Sequence, residues 1–220
     1  MIGLTAIILA GGKGSRMAPW PAPKCLMPVK GTPIIHWIYR HLISQGDIFE
    51  RIVVCTGYRA DDVVSSMAGL HVCFSSAGED ATMMERLFKA RQEYKIEGPC
   101  LVLYGDELAD VSVSYLSEDH KNSKSLMTMT VWDYRLPFGV YEKHNGGDIN
   151  DRMRVKVNIG FALVEPEAWT YGHGCSGLSD FFNRLHYMPD GTSAVNVYEH
   201  TGKRVTINSL KELEEAEAMM

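Results

Sequence analysis

No stretch of this 220-residue chain approaches the ~20 consecutive apolar residues that a membrane-spanning helix needs. The start, Met1-Ile-Gly-Leu-Thr5, has no basic segment ahead of an apolar one, so no secretory leader is expected. Positive charge is not in excess either. Lys and Arg number 22 against 27 Asp and Glu, a formal charge of −5, which argues against a nucleic-acid partner that would demand a basic face. Cysteine is scarce and unpatterned: five residues, an odd number, with no Cys-x-x-Cys pair. Cys55, Cys73 and Cys100 sit in apolar, strand-like runs, as buried free thiols do, and a reducing cytoplasm fits best. His173-x-Cys175 is the only local metal-like pair and lacks partners at zinc spacing. Repeats, low-complexity tracts and long linkers are missing too, so one domain spanning residues 1–220 is expected.

Against these absences stands an alternation of strand-like and helix-like runs, which argues for an α/β fold with a parallel sheet covered on both faces. Strands are expected at 5–9, 51–56, 70–74 and 100–104. Helices are expected from Thr32-Pro33 (Thr as N-cap, Pro at the first helical position), at 61–67 and at 82–94. After 126–132 the pattern loosens into a β-rich part, with strands at 138–142 and 155–164 around the polar loop or hairpin tip 143–154. A helix at 178–185, strands at 195–199 and 204–207 and a closing helix at 210–219 follow.

The densest signal lies near the N-terminus. The apolar run Ala6-Ile-Ile-Leu9 ends in Ala10-Gly11-Gly12-Lys13-Gly14-Ser15-Arg16, with Pro23-Lys24 eight residues on. Glycines let backbone N–H groups approach oxygens without Cβ interference, and such concavities bind anions. Arg16 and Lys24 would add full charge to the same anion, one as a fork and one as a point. Two better-known loops are excluded by register. Gly12-Lys-Gly14 is followed by Ser15, Arg16 and Met17, which breaks G-x-G-x-x-G, and Gly12-Lys13 is not followed by Ser or Thr, as a P-loop requires. A second pattern is Tyr104-Gly-Asp106 at the end of an apolar strand. Ligands of open α/β sheets bind beyond the carboxyl ends of strands, so Asp106 should share the crevice with the glycine loop, where its carboxylate could hold Mg²⁺ against phosphates.

L-A-G-G-x-G-x-R followed by P-K-x-L-x-P-V resembles the signature of the sugar-phosphate nucleotidylyltransferases. The stretch Thr82-Met83-Met84-Glu85-Arg86-Leu87, and then Tyr104-Gly-Asp106 with Asp110, is similar to the T-M-T-G-G-R-L and Y-G-D-G-x-x-D of their glucose-1-phosphate cytidylyltransferase branch. Met84-Glu85 replaces that branch's T-G-G, so both of its glycines are missing. The resemblance implies a Rossmann-like, mostly parallel sheet of nucleotidyltransferase (GT-A-like) type with a small β-rich acceptor-binding part. It also implies a nucleotide-binding half at 1–132 and an acceptor-binding half at 133–220. Arg16, Lys24 and Asp106 would then be catalytic, and Leu9, Ala10, Gly11, Gly12, Gly14, Thr82 and Arg86 would bind the nucleotide, CTP or another nucleoside triphosphate. Mg²⁺ would be the cofactor.

The acceptor side departs from the family. His200-Thr-Gly202-Lys-Arg204-Val-Thr-Ile-Asn208 parallels H-T-G-F-W-x-x-M-D, with Asn208 where the family has its second metal-binding aspartate. Asn208 can offer a carbonyl oxygen to the metal, or simply cap the closing helix. The sugar-contacting E-K-P is absent; Asp151-Arg-Met-Arg-Val-Lys156 occupies its region. Arg152, Arg154 and Lys156 could hold an acceptor phosphate or form a solvated strand face. Asn158 matches the family's acceptor-contacting asparagine. The expected reaction joins a nucleoside triphosphate and a sugar 1-phosphate into a nucleotide sugar and pyrophosphate. A cytidylyltransferase for an aminoalkyl or amino-acid phosphate, a glycosyltransferase and a non-catalytic nucleotide sensor stay open, as does a homo-oligomer contact through apolar residues of the β-rich half.

Overall fold

A computed structural model describes residues 3–17, 19–136, 138–142, 148–150 and 153–219. In chain order the strands are β1 (Leu4–Leu9), β2 (Pro28–Val29), β3 (Thr32–Pro33), β4 (Phe49–Thr56), β5 (Cys73–Ser76), β6 (Cys100–Tyr104) and β7 (Glu107–Ala109). They continue with β8 (Met127–Arg135), β9 (Val140–Glu142), β10 (Asp148–Asn150), β11 (Arg154–Val164), β12 (Val195–His200) and β13 (Arg204–Thr206). The helices are α1 (Ile34–Ser44), α2 (Ala60–Ser66), α3 (Met83–Glu93), α4 (Val113–Ser123), α5 (Leu178–His186) and α6 (Leu210–Met219).

Seven strands form the central sheet in the order β12-β8-β11-β6-β1-β4-β5. Pairing is parallel except at β11, which runs antiparallel to both β6 and β8. The fold is thus the Rossmann-like, mostly parallel one that the motifs implied. β1 explains why the sheet needs two covers. Its residues are nearly all buried; Ala6 and Ile8 pack in one core with Ile34, Ile38 and Leu42 of α1, while Ile7 packs on the opposite face with Leu87 and Ala90 of α3.

From β1 the chain winds outward through β4 to β5, then returns to place β6 on the other flank of β1. The winding direction therefore reverses between β1 and β6, and the crevice that opens beyond their carboxyl ends is where such sheets take ligands.

Two expected elements differ. Thr32 and Pro33 form β3 instead of opening the helix: β2 and β3 pair as a hairpin over Lys30-Gly31, both at positive φ, and α1 begins at Ile34 with Pro33 as its N-cap. The turn captures Thr32 before it can cap. The third large strand begins at Cys73, because residues 67–72 fold into turns, the Leu70 amide donating to Met67 and the Val72 amide to Leu70. Of the expected loop at 143–154, residues 143–147 and 151–152 fall outside the described residues, while 148–150 form β10, paired antiparallel with β9.

Candidate active site

Beyond the carboxyl ends of β1 and β6 lies a cleft of about 850 Å³, and the glycine loop and Asp106 both line it. The loop is tied down at its base: the Ala10 amide donates to Cys55, the Tyr58 amide to Gly11 and the Gly105 amide to Leu9. Beyond those ties the amides of Gly12, Lys13 and Gly14 donate to no backbone carbonyl among the described residues, which leaves them for an anion in the cleft. A Cβ on Gly12 would meet nothing within 4 Å, so the loop's open face is toward the cleft. On its other face a Cβ on Gly11 would fall 2.2 Å from Arg86 Nη1.

Arg86, from α3, is thus the floor of the loop. It is 6% exposed, its Nη1 donates to the Thr56 carbonyl and its Nη2 to the Glu79 carbonyl at 2.9 Å. Thr82, expected to bind nucleotide, is consumed by a capping box: its hydroxyl accepts from the Glu85 amide, and its own amide donates to the Glu85 carboxylate at 2.7 Å. Glu85, where the family has glycine, is what completes the box. Ala81 and Met83 line the cleft on either side of Thr82. Lys13 crosses the mouth, with Nζ 2.8 Å from Glu79 and 3.3 Å from Asp80.

At the bottom of the cleft three side chains far apart in sequence meet. Lys24 opens a short 3-10 turn after Pro23, and its side chain is only 11% exposed. Its ammonium donates to Asp106 Oδ2 at 2.5 Å and to Asn208 Oδ1 at 2.7 Å. Gly14, at φ +66°, lets the loop pass over the lysine, where a Cβ would sit 2.7 Å from Lys24 Cβ. Arg16 lies exposed on the cleft rim.

Asn208 is not the cap of α6: Ser209 is, its hydroxyl accepting from the Glu212 amide, while the Asn208 amide donates to the Glu212 carboxylate at 2.7 Å. That leaves the Asn208 side chain for the cleft. One carboxylate and one amide carbonyl already converge on a cation, the lysine ammonium, and this all-oxygen donor pair suits a hard ion such as Mg²⁺ completed by phosphate oxygens. Elsewhere no group of three or more His, Cys, Asp or Glu among the described residues could hold a metal. His173 stacks on Phe88 at 4.7 Å and Cys175 donates to the Tyr171 carbonyl. Burial pushes the thiols of Cys25, Cys55 and Cys100 up to about 12, so these are unreactive core residues.

The acceptor candidates separate. Asn158 lines the cleft, its Oδ1 accepting from the Gly160 amide at 2.9 Å and its side chain meeting the Tyr104 hydroxyl. Arg154 and Lys156 do not reach it. They line a separate depression of about 220 Å³, where Lys156 pairs with Glu199 at 2.5 Å and Asp133 at 3.7 Å. Their strand turns them toward the β12 side, and acidic neighbours neutralise Lys156. Arg152 lies outside the described residues.

Sequence reasoning missed Glu107, Arg204 and Thr206, which line the cleft beside Asp106 and Asn208. Glu107 is 3% exposed and bonded to both Arg204 and Thr206. Burial pushes its carboxyl up to about 7, against the pull of Arg204 and Thr206. The available signal was the pair of departures itself: Glu for glycine at 107 and Arg for tryptophan at 204, each unremarkable alone.

A glycine loop, a buried lysine and a carboxylate at the switch point of a mostly parallel sheet define a nucleotide-binding α/β protein of transferase type. The chain belongs to the MobA-like NTP transferase family, whose domain model matches residues 6–148. Among curated relatives, the bifunctional protein GlmU of Acetivibrio thermocellus is 32% identical over 215 residues, covering 96% of this chain and 46% of its own length. A probable glucose-1-phosphate cytidylyltransferase of Bacillus subtilis is 24% identical and covers 98% of this chain and 96% of its own. The chain spans about half the length of the GlmU relatives it matches. In fold it is similar to a putative glucose-1-phosphate thymidylyltransferase from Bacillus anthracis, with TM-score 0.76, 22% identity and coverage of 99% and 95% of the two chains. The last two bear the names of glucose-1-phosphate nucleotidylyltransferases.

Proposed function

We propose that this protein is a nucleotidylyltransferase that joins CTP to a sugar 1-phosphate, giving a nucleotide sugar and pyrophosphate. The observation that carries this reading is the convergence of Lys24, Asp106 and Asn208 in the cleft that the glycine loop also lines, where the Gly12, Lys13 and Gly14 amides donate to no backbone carbonyl among the described residues. CTP is favoured over other nucleotides by the Thr82–Leu87 and Tyr104–Asp106 motifs and by the full-length similarity to the Bacillus subtilis relative.

In the reaction an acceptor phosphate oxygen attacks the α-phosphorus in line. A new P–O bond forms, the bond from the α-phosphorus to the oxygen bridging to the β-phosphorus breaks, and its electron pair leaves with pyrophosphate. No side-chain nucleophile is required, because the acceptor dianion is one already. The obstacle is charge: like unit charges 4 Å apart repel by about 4 kcal/mol at an effective dielectric near 20. Lys24 sits where both anions meet, Arg16 on the rim meets the departing phosphates, and the loop amides hold the triphosphate. Mg²⁺, when bound by Asp106 and Asn208, would supply further charge neutralisation to the phosphates. Residues 1–132 would serve the nucleotide and 133–220 the acceptor.

The test is pyrophosphate release with CTP, UTP, dTTP, GTP or ATP against glucose 1-phosphate, mannose 1-phosphate, phosphoethanolamine and phosphoserine. Acceptor-dependent release, highest with CTP and a sugar 1-phosphate, is expected. Release without an acceptor, or nucleotide binding without release, overturns the reading.

A further inference from the structure

Beside the reacting groups the cleft wall carries a charged cluster that the transfer chemistry leaves unused. Glu107 begins β7 directly after Asp106, and β13 pairs antiparallel with it, Thr206 opposite Glu107 and Arg204 opposite Ala109. Arg204 Nε donates to Glu107 Oε1 and Nη2 to Oε2 at 3.2 Å. Nη2 also donates to the Thr206 hydroxyl, which in turn donates to Glu107 Oε2. The Trp132 ring holds the guanidinium from another side, with Cζ 5.7 Å from its centroid. Both line the cleft, but Glu107's side chain is 2% exposed and Arg204's 14%, so the arginine is the more accessible of the two. Nη1 takes part in no hydrogen bond among the described residues.

A buried ion pair is a poor device for stability, since desolvation offsets its attraction and apolar side chains of similar volume serve as well or better. A fork gripped on one edge and open on the other is a good device for aiming hydrogen-bond donors. Arg204 and Thr206 share a strand face, Arg204 standing about 7 Å further along β13 and away from Asn208. It is therefore placed for the part of an acceptor remote from the transferred phosphate. That side of the cleft lacks the family's E-K-P, and Lys156 and Arg154 line the other depression, Lys156 paired there with Glu199.

We propose that Arg204, aimed by Glu107, reads the distal part of the acceptor, donating from its open edge to hydroxyl oxygens and disfavouring acceptors that end in an ammonium group. A guanidinium has donors and no acceptor, so it satisfies a hydroxyl oxygen, whereas an ammonium brought to it loses water and gains no partner. With Glu107 ionised against it, the pair carries no net charge, and the site then suits a neutral polyol. Glu107 is then a positioning residue and Arg204 a binding residue. The inference rests on the transferase reading and narrows it to sugar phosphates.

The experiment is steady-state pyrophosphate release at saturating CTP on the acceptor panel above, with wild type, Arg204→Lys and the double variant Glu107→Gln/Arg204→Gln, which leaves no buried charge unpaired. Wild type should favour a sugar 1-phosphate over phosphoethanolamine. The double variant should raise the sugar-phosphate KM at least tenfold, keep the CTP KM and the thermal midpoint, and narrow that preference. Arg204→Lys, with the charge but not the fork, should fall between. A double variant with wild-type acceptor KM overturns the inference while leaving the transferase reading intact. So does an equal rise in the acceptor and CTP KM values, or a wild type that prefers phosphoethanolamine. If the double variant does not fold, an unchanged acceptor KM in Arg204→Lys has the same force. Wild type inert on the whole panel with every nucleotide ends both readings.

Discussion

The two walls of the cleft are built differently. The nucleotide wall is backbone: a glycine loop tied to β4 and β6 by amide–carbonyl bonds and propped from behind by Arg86. The opposite wall is side chain: Asp106, Glu107, Asn158, Arg204 and Asn208, drawn from distant segments, with Asp106 and Asn208 joined through the Lys24 ammonium and Glu107 paired with Arg204. A backbone wall offers generic donors suited to any triphosphate. A side-chain wall can be rewritten residue by residue, and there the chain departs from the motifs it resembles at 107, 204 and 208; on the other side the departure is Met84-Glu85, in α3 behind the loop. On the proposed reading, general phosphate binding falls to one wall and acceptor choice to the other.

Four substitutions press on that contrast. Lys24 joins the walls, so Lys24→Ala should have the largest effect, lowering turnover by roughly a hundredfold to a thousandfold with the fold retained. Near-normal turnover in a well-folded variant would remove Lys24 from its assigned role. Arg86→Met deprives two carbonyls behind the loop of a charged donor. It should cost about 1.5–3 kcal/mol in denaturant unfolding and raise the CTP KM while sparing the acceptor KM. A rise in the acceptor KM instead would blur the two walls.

Thr82→Ala removes the cap of α3 and should cost about 1 kcal/mol, leaving the CTP KM near wild type. A large change in CTP binding without loss of stability would restore Thr82 as a nucleotide contact. Lys156→Ala should be the quietest, because an exposed ion pair outside the cleft contributes little; kinetics and melting both check it. A raised acceptor KM there would move the acceptor wall toward β12.

What was legible follows this division. The strand, loop and charge order of residues 6–24 is local, and so the nucleotide wall could be read directly. The capping box Thr82-x-x-Glu85 was legible too, but likeness to the branch motif led to a nucleotide-binding role for Thr82. The hairpin at 28–33 was missed because Thr-Pro is also a good helix opening, and only pairing across Lys30-Gly31 decides between the two. Arg154 and Lys156 looked available because alternation along a strand gives no hint of which neighbours wait on each face.

The linear order of residues by itself determined the class of fold, the glycine loop and the presence of cations near it, because strand burial and backbone freedom are local properties. Only the tertiary structure decided that Lys24 lies between Asp106 and Asn208, that the Asn208 side chain turns to Lys24 instead of capping its helix, and that Glu107 grips Arg204. Those contacts join residues that are neighbours only once the sheet reverses its winding beside β1, and no local pattern specifies which side chains that reversal brings together.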